Sequence, residues 1–263
     1  MIDQQPGLRV FASWKLEDGS RIHAARLDLS AEAAEQGLAE LPASELARAA
    51  SFAFEADRRR FVITRAALRR FLAHYLGVPT SRVELTCEAE GKPRLAEQFA
   101  DAGLSFNVSH TANVVAFAFA WDREIGIDIE ELRSLPNAAS IAARFFTTEE
   151  RAAFDAIAPE DRTVGFFRCW TRKEAIAKAI GTGLSAALRE VDVTMATGKS
   201  RQSVRVRHPN GAQSRWRLHE FRLGDAVIGA CVVSATAISA RAPDSLAASD
   251  CEELALCTAD QDG

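Results

Sequence analysis

The chain has 263 residues, of which 48% are hydrophobic and 26% are charged, and its formal net charge is −4. These proportions are typical of a globular protein with a real core, and the length permits one large domain or two small ones. The mild acidity argues against broad nucleic-acid binding, which needs a basic surface. No apolar run reaches the roughly 18 residues that span a bilayer, and the first residues lack the pattern of a signal peptide. We therefore expect a cytoplasmic protein that binds neither nucleic acid nor membrane.

Hydrophobic periodicity predicts a first strand, three helices and two more strands in the first half of the chain. The predicted strands cover 10–14, 104–108 and 114–121, and the predicted helices cover 31–41, 42–54 and 58–76. Ser44 is a candidate N-cap for the second helix, and Gly77 ends the third. The segment 109–113 is expected to be a loop between the last two strands.

The second half repeats this order of elements. The predicted strands cover 125–130, 191–195, 204–207, 215–221 and 226–235, and the predicted helices cover 149–157 and 166–180. Thr147 and Glu150 form a candidate capping box for the first of these helices, and Gly181 ends the second.

Helices followed by a small antiparallel sheet therefore occur twice. This order predicts an α+β fold of two pseudo-equivalent halves, 1–122 and 123–240, each a small sheet packed with helices. The segment 241–263 is rich in alanine, serine and aspartate, and we expect a poorly ordered tail there.

The segment 125–130 alternates isoleucine with glycine, aspartate and glutamate. Successive side chains of a strand point to opposite faces, so the three isoleucines should enter the core together. Asp128 and Glu130 then share the other face, roughly 6.6 Å apart, and Gly126 leaves that face open beside them. Two carboxylates at this spacing repel one another unless a cation lies between them, which favours a hard metal ion. The alternative is a solvated strand face that carries two acids.

In the predicted helix 166–180, Glu174 and Lys178 lie one turn apart. They form either an ordinary surface ion pair or part of a site. In the second case Glu174 is a third metal ligand or a base, and Lys178 contacts phosphate.

Taken together, two motifs resemble the paired signature of the 4′-phosphopantetheinyl transferases: G-I-D-I-E at 126–130 and W-T-R-K-E-A-I-A-K at 170–178. The resemblance covers about residues 42 to 235 in the family's order. It extends to the segments 49–61, 91–93, 106–110 and 179–184. The length and the two-half layout are similar to the single-chain, surfactin-synthetase-activating type and not to the half-sized type that assembles as a trimer, so we expect a monomer.

The resemblance implies a metal site and a coenzyme A site. The implied ligands of Mg²⁺, in the second half of the chain, are Asp128, Glu130 and Glu174. The implied contacts to coenzyme A are Lys178 at the phosphates, Lys92, Ser109 and His110 at the nucleotide end with its 3′-phosphate, and Arg48. Glu45 is a departure, since some relatives carry a base at that position.

The implied reaction moves the phosphopantetheine arm of coenzyme A to a serine of an apo acyl or peptidyl carrier protein and releases 3′,5′-ADP, as in a holo-carrier-protein synthase. Glu174 is the candidate base, and Lys173 or Lys178 would stabilise the charge on the bridging oxygen. The alternatives are another Mg²⁺-dependent phosphoryl-transfer enzyme and a non-catalytic module that binds coenzyme A or carrier protein. The sequence does not name the carrier.

Overall fold

Two antiparallel sheets, packed face to face, form the centre of the computed structural model, which describes residues 4–87, 92–181, 191, 193, 201–207 and 213–237. The strands are β1 Gln4–Gln5, β2 Leu8–Lys15, β3 Arg21–Leu27, β4 Leu85–Cys87, β5 Pro93–Leu95, β6 Leu104–Thr111, β7 Val114–Trp121, β8 Ile125–Glu131, β9 Arg201–Arg207, β10 Gln213–Leu223 and β11 Val227–Ser234. The α-helices are α1 Ala31–Leu38, α2 Ala43–Ala50, α3 Glu55–Leu76, α4 Ala138–Phe145, α5 Thr148–Asp155 and α6 Arg162–Ile180. Short 3₁₀ helices cover Thr80–Arg82, Glu97–Ala102 and Pro159–Asp161.

The first sheet has the strand order β1-β2-β3-β7-β6, and the second has the order β8-β11-β10-β9. All pairs within both sheets are antiparallel. The strands β4 and β5 form a separate hairpin. The first sheet is built from the N-terminal part of the chain and the second from the C-terminal part.

The two sheets meet through an apolar layer. From β7 the layer receives Ala116, Ala118 and Ala120, and from β8 it receives Ile125, Ile127 and Ile129, all at most 1% exposed. Small side chains on β7 let the sheets approach, and the isoleucines fill the space between them. The expectation that the three isoleucines enter the core together is confirmed.

A long helix covers the outer face of each sheet. The helix α3 packs Leu68, Phe71 and Leu72 against the face of β7 that carries Phe117 and Phe119. The helix α6 covers the second sheet. Its core side chains Phe166, Cys169 and Ile176 pack with Ile228, Ala230 and Val232 of β11. Helix, sheet, sheet and helix therefore form four layers, so the predicted α+β class with antiparallel sheets packed on helices is confirmed.

The ends of both long helices follow the predicted signals. Gly77 and Gly181 adopt positive φ angles of 66° and 71°, which glycine tolerates best. The predicted capping box is also present, since Thr147 accepts a bond from the Glu150 amide and Glu150 accepts one from the Thr147 amide.

Several predicted elements differ from the structure. The strand β3 and the helix α4 were not predicted, and β6 continues to Thr111, which leaves only 112 and 113 between β6 and β7. Ser44 is not an N-cap because α2 begins at Ala43, with Pro42 in the cap position. The tail 241–263 and most of the predicted strand 191–195 lie outside the described residues, and the boundary near 122 stays a prediction. In the described part of the chain, no helix has the length and apolar character needed to cross a membrane.

Candidate active site

The helix α6 lies directly on β8 at Gly126. A Cβ atom at this position would lie 2.0 Å from the carbonyl oxygen of Ala175 and 2.7 Å from the amide nitrogen of Ala179. Both are backbone atoms of α6, so no side chain fits there. The expectation that Gly126 leaves the strand face open is therefore wrong: the helix fills that space. This close approach brings Glu174 and Lys178 of α6 to the strand face that carries Asp128.

Asp128 is buried and is bonded to both of its polar neighbours through one oxygen. The Lys178 ammonium lies 2.6 Å from Asp128 Oδ1, and the Ser109 hydroxyl lies 2.9 Å from the same atom. The Lys178 ammonium also lies 2.9 Å from Ser109 Oγ. Asp128 Oδ2 is buried and has no hydrogen-bond partner among the described residues. The three side chains come from β8, α6 and β6, so two sheets and a helix meet at this point.

Glu174 is buried beside this group, with an exposed fraction of 8%. The pKa of Glu174 is raised to about 7, mainly by burial and also by the negative charges of Asp128 and Glu130, while Lys178 acts in the opposite direction. Within the described ranges, Glu174 Oε1 has no hydrogen-bond partner. A carboxylate with such a pKa exchanges its proton near neutral pH, which is the property of an effective general base.

Glu130 lies at the rim of the group. Its side chain is 22% exposed and makes an ion pair of 3.1 Å with the exposed Arg133. Burial raises the pKa of Glu130, with Arg133 acting against it and Asp128 adding to it. The charge of Asp128 thus acts on both Glu130 and Glu174.

The carboxylates can be tested as ligands of a hard cation. The described part of the chain holds no group of three histidine, cysteine, aspartate or glutamate side chains already placed to share a metal ion. Asp128 Oδ2 and Glu174 Oε1 are nevertheless buried oxygen atoms without partners, and such atoms are costly unless a cation or a donor satisfies them. Oxygen is the ligand that Mg²⁺ prefers. The two side chains therefore fit a magnesium ion, with Glu130 near them.

Lys173 does not belong to this group. Its ammonium is fully buried and lies 2.6 Å from Glu150 and 2.6 Å from the carbonyl oxygen of Val191. Glu150 is also fully buried and accepts a bond of 2.8 Å from the Val193 amide. These contacts fix α5 and the residues 191 and 193 to α6. Because the Lys173 ammonium is held in this network, the structure does not support the predicted catalytic role.

Three of the residues predicted to contact coenzyme A, Lys92, His110 and Arg48, lie in different parts of the fold. Lys92 is brought to the end of α6, where its ammonium lies 2.5 Å from the carbonyl oxygen of Lys178. His110 is exposed at the end of β6, and partial burial of its ring lowers its pKa, with further lowering by Arg60 and Lys178. Arg48 is exposed on α2, 5.9 Å from the centre of the Phe61 ring.

The Glu45 departure has a structural explanation. Its carboxylate lies 3.3 Å from Arg65 and 2.7 Å from Arg69, which attaches α2 to α3. Sequence reasoning placed no role on Asn107 and Thr111 of β6, yet both accept bonds from backbone amides of β8. The signal was present, because Asn107, Ser109 and Thr111 place polar side chains at every second position.

Two sequence models of protein families match the chain. A model described as 4′-phosphopantetheinyl transferase, N-terminal, matches residues 30–121, and a model described as 4′-phosphopantetheinyl transferase superfamily matches residues 124–231. The second match includes Asp128, Glu130, Glu174 and Lys178. The chain belongs to the 4′-phosphopantetheinyl transferase superfamily.

Curated relatives in this superfamily are similar over part of the chain. The 4′-phosphopantetheinyl transferase HetI of Nostoc sp. is 43% identical over 157 residues, which is 60% of this chain and 66% of HetI. The 4′-phosphopantetheinyl transferase AcpT of Salmonella typhimurium is 37% identical over 117 residues, or 44% of this chain and 59% of AcpT. The human L-aminoadipate-semialdehyde dehydrogenase-phosphopantetheinyl transferase is 29% identical over 58% of this chain and 52% of its own length. The matches thus span less than two thirds of each relative.

Proposed function

We propose that this protein transfers the 4′-phosphopantetheine arm of coenzyme A to a serine of an apo acyl or peptidyl carrier protein. The observation that carries the proposal is the group of Asp128, Glu174 and Lys178 between β8 and α6, in a chain that both family models match. The group combines two unsatisfied carboxylate oxygens with an ammonium, which suits a phosphoryl transfer that depends on charge neutralisation.

In the proposed reaction, the serine oxygen forms a bond to the β-phosphorus of coenzyme A. The bond between this phosphorus and the bridging oxygen breaks, and 3′,5′-ADP leaves with that oxygen. The serine proton moves to a base, for which Glu174 is the best candidate because its buried carboxylate lies beside Asp128 and keeps one oxygen without a partner among the described residues.

Asp128 and Glu174, with Glu130, would hold the proposed Mg²⁺. When bound, the ion would polarise the pyrophosphate and offset the negative charge of the leaving group. Lys178 is 30% exposed, so its ammonium can reach a phosphate outside the protein while its stem stays on α6. In this proposal Lys178 alone stabilises the negative charge that develops on the bridging oxygen, since the Lys173 ammonium is held by Glu150.

The nucleotide end of coenzyme A is proposed to lie beside Lys92 and His110, with Arg48 as a further basic contact. Lys92 is held at the C-terminal end of α6 and His110 is exposed next to Arg60, so both offer positive or donor groups near Lys178. Phosphate binding requires donors of this kind.

Four further features of the protein are also proposed. These are the single-chain, surfactin-synthetase-activating type, activity as a holo-[acyl-carrier-protein] synthase, the monomeric state and the cytoplasmic location. The first three are supported by the resemblance of the motifs and by the layout of two sheets in one chain, and the location is supported by the sequence pattern alone.

The experiment is an intact-mass measurement of apo-carriers after incubation with the protein and coenzyme A. Fatty-acid, polyketide and nonribosomal-peptide carriers are each tested with Mg²⁺ and with a chelator. At least one carrier should gain one phosphopantetheine with Mg²⁺ and none should gain it with the chelator. Asp128→Ala should abolish the gain, and Glu131→Gln, an exposed acid on the same strand, is the control and should retain it. A folded protein that modifies none of the carriers would refute the proposed function.

A further inference from the structure

The Ser109 hydroxyl uses its full hydrogen-bonding capacity inside the protein. A hydroxyl donates one hydrogen bond and accepts two. Ser109 Oγ donates to Asp128 Oδ1 at 2.9 Å, accepts from the Lys178 ammonium at 2.9 Å and accepts from the amide of Ile129 at 3.2 Å. Ser109 is also only 5% exposed. The one donor site of this hydroxyl is taken by Asp128, so no proton of Ser109 remains for a phosphate oxygen outside.

We propose that Ser109 is a positioning residue that holds Asp128 in place for the transfer reaction, and that its hydroxyl does not bind the 3′-phosphate of coenzyme A. The proposal rests on the proposed function, and it replaces the role that the resemblance implied for Ser109. The neighbouring His110 keeps the nucleotide role because its side chain is exposed.

The arrangement around Ser109 is part of a side-chain ladder between β6 and β8, which belong to different sheets. The amide of Ile127 donates to Asn107 Oδ1 at 3.0 Å, and the amide of Glu131 donates to Thr111 Oγ1 at 3.1 Å. Ser109 is the middle rung. Each rung is two residues from the next on both strands, so the ladder fixes one register between the two halves.

Only the middle rung joins the ladder to ionised groups, as far as the described residues show. Asn107 and Thr111 contact backbone amides of β8, whereas Ser109 also contacts Asp128 and Lys178. Ser109 therefore couples the strand register to the position of the Asp128 carboxylate. Thr111 offers a matched control, because Thr111→Val removes an amide acceptor of the same kind without touching either ionised group.

The test compares Ser109→Ala, His110→Ala and Thr111→Val with the unaltered protein, each with coenzyme A and with 3′-dephospho-coenzyme A. A carrier that the unaltered protein modifies serves as acceptor. We expect Ser109→Ala to lower kcat about ten- to a hundredfold, the range for a lost hydrogen bond to a charged group, by the same factor with both substrates. His110→Ala should mainly raise KM for coenzyme A, and this effect should disappear with 3′-dephospho-coenzyme A. Thr111→Val should leave kcat within about threefold.

Binding of 3′,5′-ADP, measured by calorimetry, gives a readout that does not depend on turnover. Ser109→Ala should bind it as the unaltered protein does, whereas His110→Ala should bind it more weakly. If Ser109→Ala does not fold, Ser109→Cys, which is close in size but a poor hydrogen-bonding group, should show the same pattern.

A Ser109→Ala loss that vanishes with 3′-dephospho-coenzyme A, or weaker binding of 3′,5′-ADP, would overturn the positioning role. An equal loss in Thr111→Val would overturn it too, because strand register alone would then explain the effect. If the unaltered protein modifies no carrier, the proposed function fails and the role of Ser109 in it fails as well. That outcome differs from the other two, in which transfer by the unaltered protein is intact.

Discussion

The buried carboxyl group of Glu174 should make the metal-free protein less stable as the pH rises towards neutrality. The pKa of this group is raised from an ordinary value of 4.5 to about 7. Because the folded protein then binds the proton more tightly than the unfolded chain does, the contribution is fully present below pH 4.5. It is lost as the pH rises through 7. The change of stability with pH therefore has the opposite sign to that produced by a carboxylate in a stabilising ion pair.

The magnitude follows from the size of this pKa change. A difference of one pKa unit corresponds to about 1.4 kcal/mol, so the rise to about 7 corresponds to roughly 3 kcal/mol at most. Partial solvent screening reduces this figure, and a loss of about 2 kcal/mol between pH 5 and pH 8 is a reasonable expectation. Such a loss is a substantial fraction of the total stability of about 5–15 kcal/mol that is usual for a folded protein.

The assay is urea unfolding at several pH values between 5 and 8 in the presence of a chelator. Glu174→Gln has a similar size and no titrating group, so its free energy of unfolding should exceed that of the unaltered protein at pH 8 and approach it at pH 5. Glu131→Gln, on the exposed end of β8, should behave as the unaltered protein does. Added Mg²⁺ should stabilise the unaltered protein at pH 8 and should stabilise Glu174→Gln much less.

Equal pH dependence of the unaltered protein and Glu174→Gln would refute this reasoning. Either the pKa of Glu174 would then lie near its ordinary value, or the group would not be buried beside other acids. Since other carboxylates and histidines also titrate in this range, only the difference between the two proteins is interpreted.

Three further substitutions test other contacts. Gly126→Ala should lower the free energy of unfolding, measured in urea, by about 3 kcal/mol or more, because the added Cβ meets the backbone of α6. The control Gly229→Ala should lower it less, because its Cβ meets only side chains. Equal losses in the two variants would contradict the close approach of α6. Lys173→Met should lower the free energy of unfolding by about 3–5 kcal/mol, because the buried Glu150 charge is left unpaired. Adding Glu150→Gln should recover part of this loss. If it recovers none, the two side chains are not energetically coupled. Lys178→Met should weaken coenzyme A binding by about 1–3 kcal/mol in calorimetry, and unchanged affinity would remove its phosphate role.

Local patterns predicted the parts of the fold that depend on neighbouring residues. The alternation in 125–130 predicted both the core face of β8 and the shared face of Asp128 and Glu130. The capping box predicted the start of α5, and the glycines predicted the ends of α3 and α6. These signals depend on contacts within a few residues, so they can be read without knowledge of the tertiary structure.

Elements and roles that depend on distant contacts were predicted less well. The strand β3 contains two adjacent alanines and two arginines, which give no strong strand signal, and it is specified by pairing with β2 and β7 on both sides. Gly126 was predicted to leave the strand face open beside the two acids. The helix that fills this space, α6, is almost fifty residues away along the chain, so the local pattern gave no sign of it.

The different roles of Lys173 and Glu174 show how far a motif can be interpreted without its contacts. Successive residues of a helix point about 100° apart, so two neighbours in one motif cannot both face the same site. Glu174 faces Asp128, while Lys173 points to Glu150 in the core of the second half. Helix geometry alone therefore predicts that the two residues point in different directions. Which of them faces the site became clear only from the contact between Lys173 and Glu150.

The contacts of Lys178 link substrate binding to the electrostatics of the site. In the structure its ammonium is the cation bonded to Asp128, at 2.6 Å, and it is one of the charges that lower the pKa of Glu174. If Lys178 turns towards the phosphates of coenzyme A, Asp128 and Glu174 lose that compensation, and the attraction of both carboxylates for a divalent cation increases. Coenzyme A and Mg²⁺ should therefore bind with positive cooperativity, each raising the affinity of the protein for the other by the same factor.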